Sequence, residues 1–188
     1  FKISEDASWI TCSKNDDSVK ITASSSTIIE ERCADVTIYL PKYEISKNIK
    51  VTQRAFNPSL EIDAVKLEFD SNGGYKYINI TANATFGISE DADWITCSKN
   101  GNSVKITVSA STIVEERRAD VIISLPNYND NTKVITVIQK AFEPQLIVED
   151  ISALNFNYRG EEKTIAVTSN FNYEVDGATN WLTIEKTS

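Results

Sequence analysis

Few side chains in this chain of 188 residues could carry chemistry, and their types narrow the options quickly. Histidine is absent, which removes imidazole triads, histidine-bound metals and the commonest general base. Paired carboxylates stand at Glu30-Glu31 and Glu115-Glu116. A glycosidase holds its two acids on either side of the substrate, whereas neighbours in an extended segment point to opposite sides. Arg32 and Arg117 follow directly, so local ion pairs are the expected role. The oxygen-rich stretches Asp16-Asp17 and Asn129-Asp130-Asn131 match no calcium-loop spacing and read as solvated turns. Cys12, Cys33 and Cys97 have no metal-ligand spacing. Without a nucleophile elbow, phosphate loop or zinc signature, the expectation is no enzyme, no cofactor and no metal.

The aromatic residues remain, because exposed rings can stack on sugars. Tyr75 and Tyr77 flank the polar face of one expected strand, and Tyr43 and Tyr128 fall in loops. These four are the candidate ligand-binding residues. Trp9, Trp94 and Trp181 are different, since each precedes an apolar residue (Ile10, Ile95, Leu182) and all three occupy one position of an internal repeat. They are expected in the structural core, as immunoglobulin-like sandwiches commonly bury one Trp. Cys12 and Cys97 are also equivalent and correspond to Ile184, so they read as apolar core filler. Cys33 corresponds to Arg118, which leaves Cys97 without a partner and argues against a disulfide framework.

The repeat organises everything else. Residues 1–41 return as residues 86–126 with 31 of the 41 positions identical. Ile49–Pro58 returns as Ile135–Pro144, and a diverged third copy follows. The expected domains are 1–57, 58–144 and 145–188. The middle one is complete, the first lacks the segment equivalent to Ser59–Thr85, and the third stops after its Trp strand. Apolar residues alternate with polar ones at Ile78/Ile80/Ala82, Val104/Ile106/Val108, Val121/Ile123/Leu125 and Ile135/Val137/Gln139, the period of half-buried strands. Asn72-Gly73-Gly74, Asn100-Gly101 and Pro126-Asn127 punctuate them. About seven strands per repeat of some 86 residues are expected, with Ser109–Arg117 too short and too β-branched for a helix. The fold class is all-β, in tandem immunoglobulin-like β-sandwich domains.

Hydrophobic residues make up 41% of the chain and charged residues 24%, enough apolar surface for real cores. A net charge of −8 disfavours nucleic acid and anionic membrane surfaces as partners. No apolar run approaches the roughly 20 residues of a membrane span. The chain opens at Phe1 without a signal peptide and reads as a piece of a longer array. Neighbouring repeats are expected partners. Head-to-tail self-association, in which the third copy's strands complete another chain's first copy, is a further expected one.

The Trp after a short turn (Asp91–Trp94), the Arg-x-Ala strand (Arg117–Ile122) and the closing ITVIQKA (Ile135–Ala141) resemble the BACON domain. That resemblance spans one full and two partial repeats. It implies immunoglobulin-like modules of Bacteroidetes, usually tandem, attached to surface glycoside hydrolases, proteases and other secreted proteins, with carbohydrate binding as the role behind the family name. The function it implies is a non-catalytic extracellular or cell-surface spacer that binds glycans, mucin or another polysaccharide. The alternatives are a purely structural part of a surface fibre or of the tail of a phage infecting these bacteria, located in the virion, or an accessory region of a larger secreted hydrolase.

Overall fold

The computed structural model describes residues 1–128, 131–149, 153–177 and 179–186, so Asn129 and Asp130 of the oxygen-rich turn lie outside the described residues. Those described residues contain strands and turns but no helix, which settles the all-β class. They gather into two compact units. One comprises Phe1–Ile62, Ile80–Gly87 and Ile123–Lys133; the other comprises Asp63–Asn79, Ile88–Ile122 and Val134–Ser188.

The first copy supplies β1 (Lys2–Glu5), β2 (Ile10–Asn15), β3 (Ser18–Ala23), β4 (Arg32–Leu40) and β5 (Ile45–Gln53). β2 and β3 form a hairpin, and β1, β4 and β5 form a three-stranded antiparallel sheet. Ile10, Ala34 and Val36 make its small core, with Ile3, Trp9, Cys12, Ile21 and Val51 packed around them.

The middle copy supplies eight strands rather than seven: β6 (Leu60–Ile62), β7 (Lys66–Phe69), β8 (Gly74–Ala82), β9 (Gly87–Glu90), β10 (Ile95–Asn100), β11 (Ser103–Val108), β12 (Arg117–Ser124) and β13 (Thr132–Gln139). The extra strand arises because the opening segment divides. β6 pairs antiparallel with β8 in the sheet β10-β11-β8-β6, while β7 pairs parallel with β13 in the sheet β7-β13-β12-β9. Each sheet turns one side inward. Val104, Ile106 and Val108 of β11 are buried in strict alternation with Ser103, Lys105 and Thr107, so the period read from sequence is the period of burial. Together the two sheets form a β-sandwich.

The third copy contributes β14 (Leu146–Val148) and β15 (Val167–Ser169), paired antiparallel. Leu146 faces Ser169 as Leu60 faces Ala82, so this hairpin repeats the β6–β8 register. Both junctions are fastened alike. The Asn83 amide accepts from Ser59 N–H at 2.8 Å and donates to Asn57 C=O at 2.9 Å. The Asn170 amide does the same with Gln145 N–H at 2.7 Å and Glu143 C=O at 2.9 Å.

Identical residues are buried differently in the two related copies. Leu125 is 1% exposed and Ile135 0%, but their counterparts Leu40 and Ile49 are each 39% exposed.

In each of these copies one polar cluster ties the strands together. Arg117 carries its guanidinium over the Trp94 ring, 4.4 Å from the centroid, and donates Nε–H to Gln139 Oε1 at 2.8 Å. Gln139 is the fully buried polar side chain of the middle copy. Its amide donates to the carbonyls of Ser109 at 2.9 Å, Asp70 at 3.2 Å and Ser71 at 3.3 Å. The first copy repeats the arrangement: Arg32 lies 4.4 Å over Trp9, its Nε–H reaches Gln53 Oε1 at 2.8 Å, and Gln53 donates to Ser24 C=O at 2.7 Å. The motif residues Trp, Arg and Gln are therefore one structural unit. Replacing Gln139 by Ala removes the acceptor of Arg117 Nε–H and the donor to the Ser109 carbonyl, while the Asp70 and Ser71 carbonyls keep their bonds from Gly73 and Ser111 N–H; each orphan group costs on the order of 1–3 kcal/mol. Urea unfolding of Gln139→Ala is expected to show a loss of about 3 kcal/mol, with a smaller loss for Gln53→Ala, whose side chain is only half-buried where Gln139 is fully enclosed; equal and negligible losses would contradict this role.

Candidate functional site

The outward face of β8, β11 and β10 gathers the aromatic candidates of one strand. Alternation along β8 sends Ile78 and Ile80 inward and leaves Tyr75 and Tyr77 59% and 52% exposed. The two rings meet edge to face, centroids 5.8 Å apart at 82°. Register fixes their neighbours. Tyr75, Thr107 and Thr96 form one row across the three strands, and Tyr77, Lys105 and Ser98 the next. Lys105 Nζ sits 4.2 Å from the Tyr75 ring centroid, held by the electron-rich face. A third row holds Asn79, Ser103 and Asn100. Asp63 accepts from Asn79 N–H at 3.0 Å and from its amide at 2.7 Å, so both carboxylate oxygens have partners. The result is an open surface with aromatic rings on one side, hydroxyls on the other and a cation between.

The turn before β8 aims this face. Gly73 has φ +71°, and a Cβ there would run into the Val108 carbonyl, so only glycine lets the chain enter β8 at this point.

The other tyrosines lie elsewhere. Tyr43 is 65% exposed in the β4–β5 turn, with Lys42 Nζ 5.6 Å from its ring. Tyr128 is half-buried. Its hydroxyl donates to Thr27 C=O at 2.9 Å and its ring packs 5.6 Å from Phe56. Tyr128 is thus engaged in internal contacts, whereas the rings of Tyr75 and Tyr77 stand open. The three tryptophans are placed differently, with Trp9 packed against the core of the first copy. Trp9 and Trp94 are half-buried, each carrying an arginine on its ring, and Trp181 is 76% exposed.

The carboxylate pairs do not meet as acid and base. Glu116 pairs with Arg118 at 2.7 Å, not with Arg117, whose guanidinium is committed to Trp94 and Gln139. In the first copy Cys33 replaces that arginine. A shallow depression of about 790 Å³ opens beside Glu90, Asp91, Trp94, Arg118 and Asp120. Asp120 there accepts from the Thr136 hydroxyl at 2.9 Å. No group of three or more metal-ligating side chains occurs among the described residues.

Sequence reasoning found Tyr75 and Tyr77 but passed over Lys105, whose signal was its place between Val104 and Ile106. It also passed over Asn83 and Asn170, since an amide that fastens a junction looks like any other loop amide.

Comparison with known proteins adds the following. The family model for BACON, described as "Putative binding domain, N-terminal", matches residues 1–54 and 83–140. No curated protein matches the chain. Among solved structures, a Bacteroides ovatus GH5 xyloglucanase in complex with a XXXG heptasaccharide is similar at 32% identity and a TM-score of 0.41. The match covers 45% of this chain and 19% of that one. A protein from Bacteroides thetaiotaomicron solved by NMR is similar at 15% identity and a TM-score of 0.37, over 45% of this chain and 88% of that one. The endo-fucoidan hydrolase MfFcnA4 is similar at 11% identity and a TM-score of 0.36, over 75% of this chain and 23% of that one. This chain thus spans about a fifth of the two hydrolases it matches.

The thiols give a direct check on these surroundings. Cys12, Cys33 and Cys97 are free, with Cys33 exposed and the others half-buried. Burial, reinforced by the nearby Glu90 carboxylate, pushes the Cys97 thiol up to about 11; burial and Glu5 raise Cys12 as well. Thiolate is the reactive form, so at pH 8 a thiol reagent is expected to modify Cys33 first and Cys97 last. Cys97 reactivity should climb only as pH approaches 11, and equal rates for Cys33 and Cys97 at pH 8 would contradict the described burial.

Proposed function

We propose, from the premise that this chain belongs to the BACON family, that it is a non-catalytic glycan-binding array whose middle copy carries the contact surface. The observation behind this reading is the exposed Tyr75–Tyr77 pair, ringed by Thr96, Ser98, Lys105 and Thr107 on one sheet face. Sugars offer C–H bonds to an aromatic face and hydroxyls to polar neighbours, and this surface supplies both. Its geometry also selects the form of ligand. Rings 82° apart cannot lie flat together on a crystalline surface, so the ligand is a single soluble chain, met by one ring face and the edge of the other. An open face without end walls accepts the interior of such a chain. Repetition of weak sites along a polysaccharide would raise the overall binding by avidity.

Localisation at the cell surface or outside the cell of Bacteroidetes follows the same reading, as does attachment to a larger secreted hydrolase. A second reading, a spacer without a ligand, is favoured by the twice-repeated Trp–Arg–Gln cluster and the two asparagine-fastened junctions, which are stiffening devices in themselves.

Affinity electrophoresis of the full chain in gels containing soluble mucin, xyloglucan or pectic polysaccharide separates the two. Retardation by one glycan class is expected, with Tyr75→Ala and Tyr77→Ala each weakening it about tenfold, the equivalent of ~1.4 kcal/mol, while Tyr128→Ala binds as the parent does. Absence of retardation by every glycan would leave the spacer.

A further inference from the structure

The three rows of the glycan-binding face carry one charge, on Lys105, while Glu61 of β6 stands beyond them opposite Thr81 and pairs with Lys133. The nine positions of these three rows across β8, β11 and β10 hold two tyrosines, two threonines, two serines, two asparagines and Lys105. The nearest acid on the adjoining turn, Asp63, already accepts two hydrogen bonds from Asn79. Among the described residues no carboxylate forms an ion pair with Lys105. Among the described residues its ammonium rests on the Tyr75 ring, 4.2 Å away. A π face attracts a cation but accepts little from its N–H groups, so the donors of Lys105 remain available to a ligand.

The position is the same in the first copy. There Lys20 faces Ser13 across the β2–β3 hairpin, as Lys105 faces Ser98, with Thr11 and Thr22 in the neighbouring row. Ten of the 41 aligned positions differ between these copies, yet this outward set of Thr, Ser, Lys and Thr is unchanged.

We infer that the tyrosine face is selective for acidic glycans, with the Lys105 ammonium receiving the carboxylate or sulfate group of a sugar whose ring rests on the tyrosines. This inference rests on the glycan-binding reading above. The overall charge of −8 works against indiscriminate attraction of polyanions. Retention of an acidic glycan would therefore report a local site. A planar guanidinium can serve the same anion, so Lys105→Arg should keep the selectivity and Lys105→Gln should lose it.

The test uses the full chain and paired probes that differ only in charge: polygalacturonate against its methyl ester for the carboxylate, and dextran sulfate against dextran for the sulfate. In affinity electrophoresis the parent chain is expected to bind at least one charged member fivefold or more tightly than its neutral twin. Lys105→Gln should erase that ratio, Lys105→Arg should preserve it, and added salt should weaken it. Whichever pair responds identifies the anionic group. Equal retardation by charged and neutral twins, abolished by Tyr75→Ala, would overturn the charge selectivity while leaving the glycan face intact. A charge preference that survives Lys105→Gln would overturn the assignment to this residue. Retardation by none of the four probes would also overturn it, and the neutral polysaccharides tested above would then decide whether the face binds glycans at all.

Discussion

The middle copy depends on one buried amide. Gln139 is fully enclosed, yet every hydrogen-bonding arm of its side chain is used, on Arg117 and on the carbonyls of Asp70, Ser71 and Ser109. A buried polar group left short of partners would be destabilising, so the segments that bring those partners are committed to a single arrangement. Asp70 and Ser71 close β7, Ser109 follows β11, and Arg117 opens β12. One side chain on β13 thus joins segments drawn from both sheets. Trp94 completes the set by covering the guanidinium that Gln139 orients.

The same contacts bear on the tyrosine face of β8 at one remove. Ser71 leads into the Asn72-Gly73-Gly74 turn from which β8 departs, and Ser111 N–H reaches the Ser71 carbonyl at 2.8 Å. The positions of Tyr75 and Tyr77 relative to Lys105 follow from that start point together with the β8–β11 register. The face is therefore carried on rigid strands rather than on loops, which suits an open surface that must hold its rings and donors at fixed spacing.

Much of this was legible in the sequence, and the limits are instructive. Alternation identified the buried members of β8, β11, β12 and, apart from Ile138, β13 because a strand's side chains point to opposite sides in turn. Internal repetition exposed Trp9 and Trp94, Arg32 and Arg117, and Gln53 and Gln139 as recurring types, but not their contact, since partners 21 residues apart or more are joined only by topology. The tryptophans looked like core anchors for the same reason: sequence gives the apolar neighbour, not the cation above the ring. Tyr128 and Tyr43 are equivalent in sequence, yet only Tyr128 finds Thr27 and Phe56 beside it. The division of the first strand into β6 and β7 was hidden because each piece is only three or four residues long. Arg118 and Glu116 formed a pair that sequence assigned to Arg117, whose guanidinium the tryptophan claims.

The central claim is that a BACON module presents a glycan-binding face built from Tyr75, Tyr77 and Lys105. Backbone amide shifts of the full chain, followed by NMR while soluble oligosaccharides of the retarded polysaccharide are added, test it most directly. The account predicts perturbations confined to Gly74–Asn79, Thr96–Ser98 and Ser103–Thr107. Perturbations centred instead on the depression beside Glu90, Trp94 and Arg118 would contradict it.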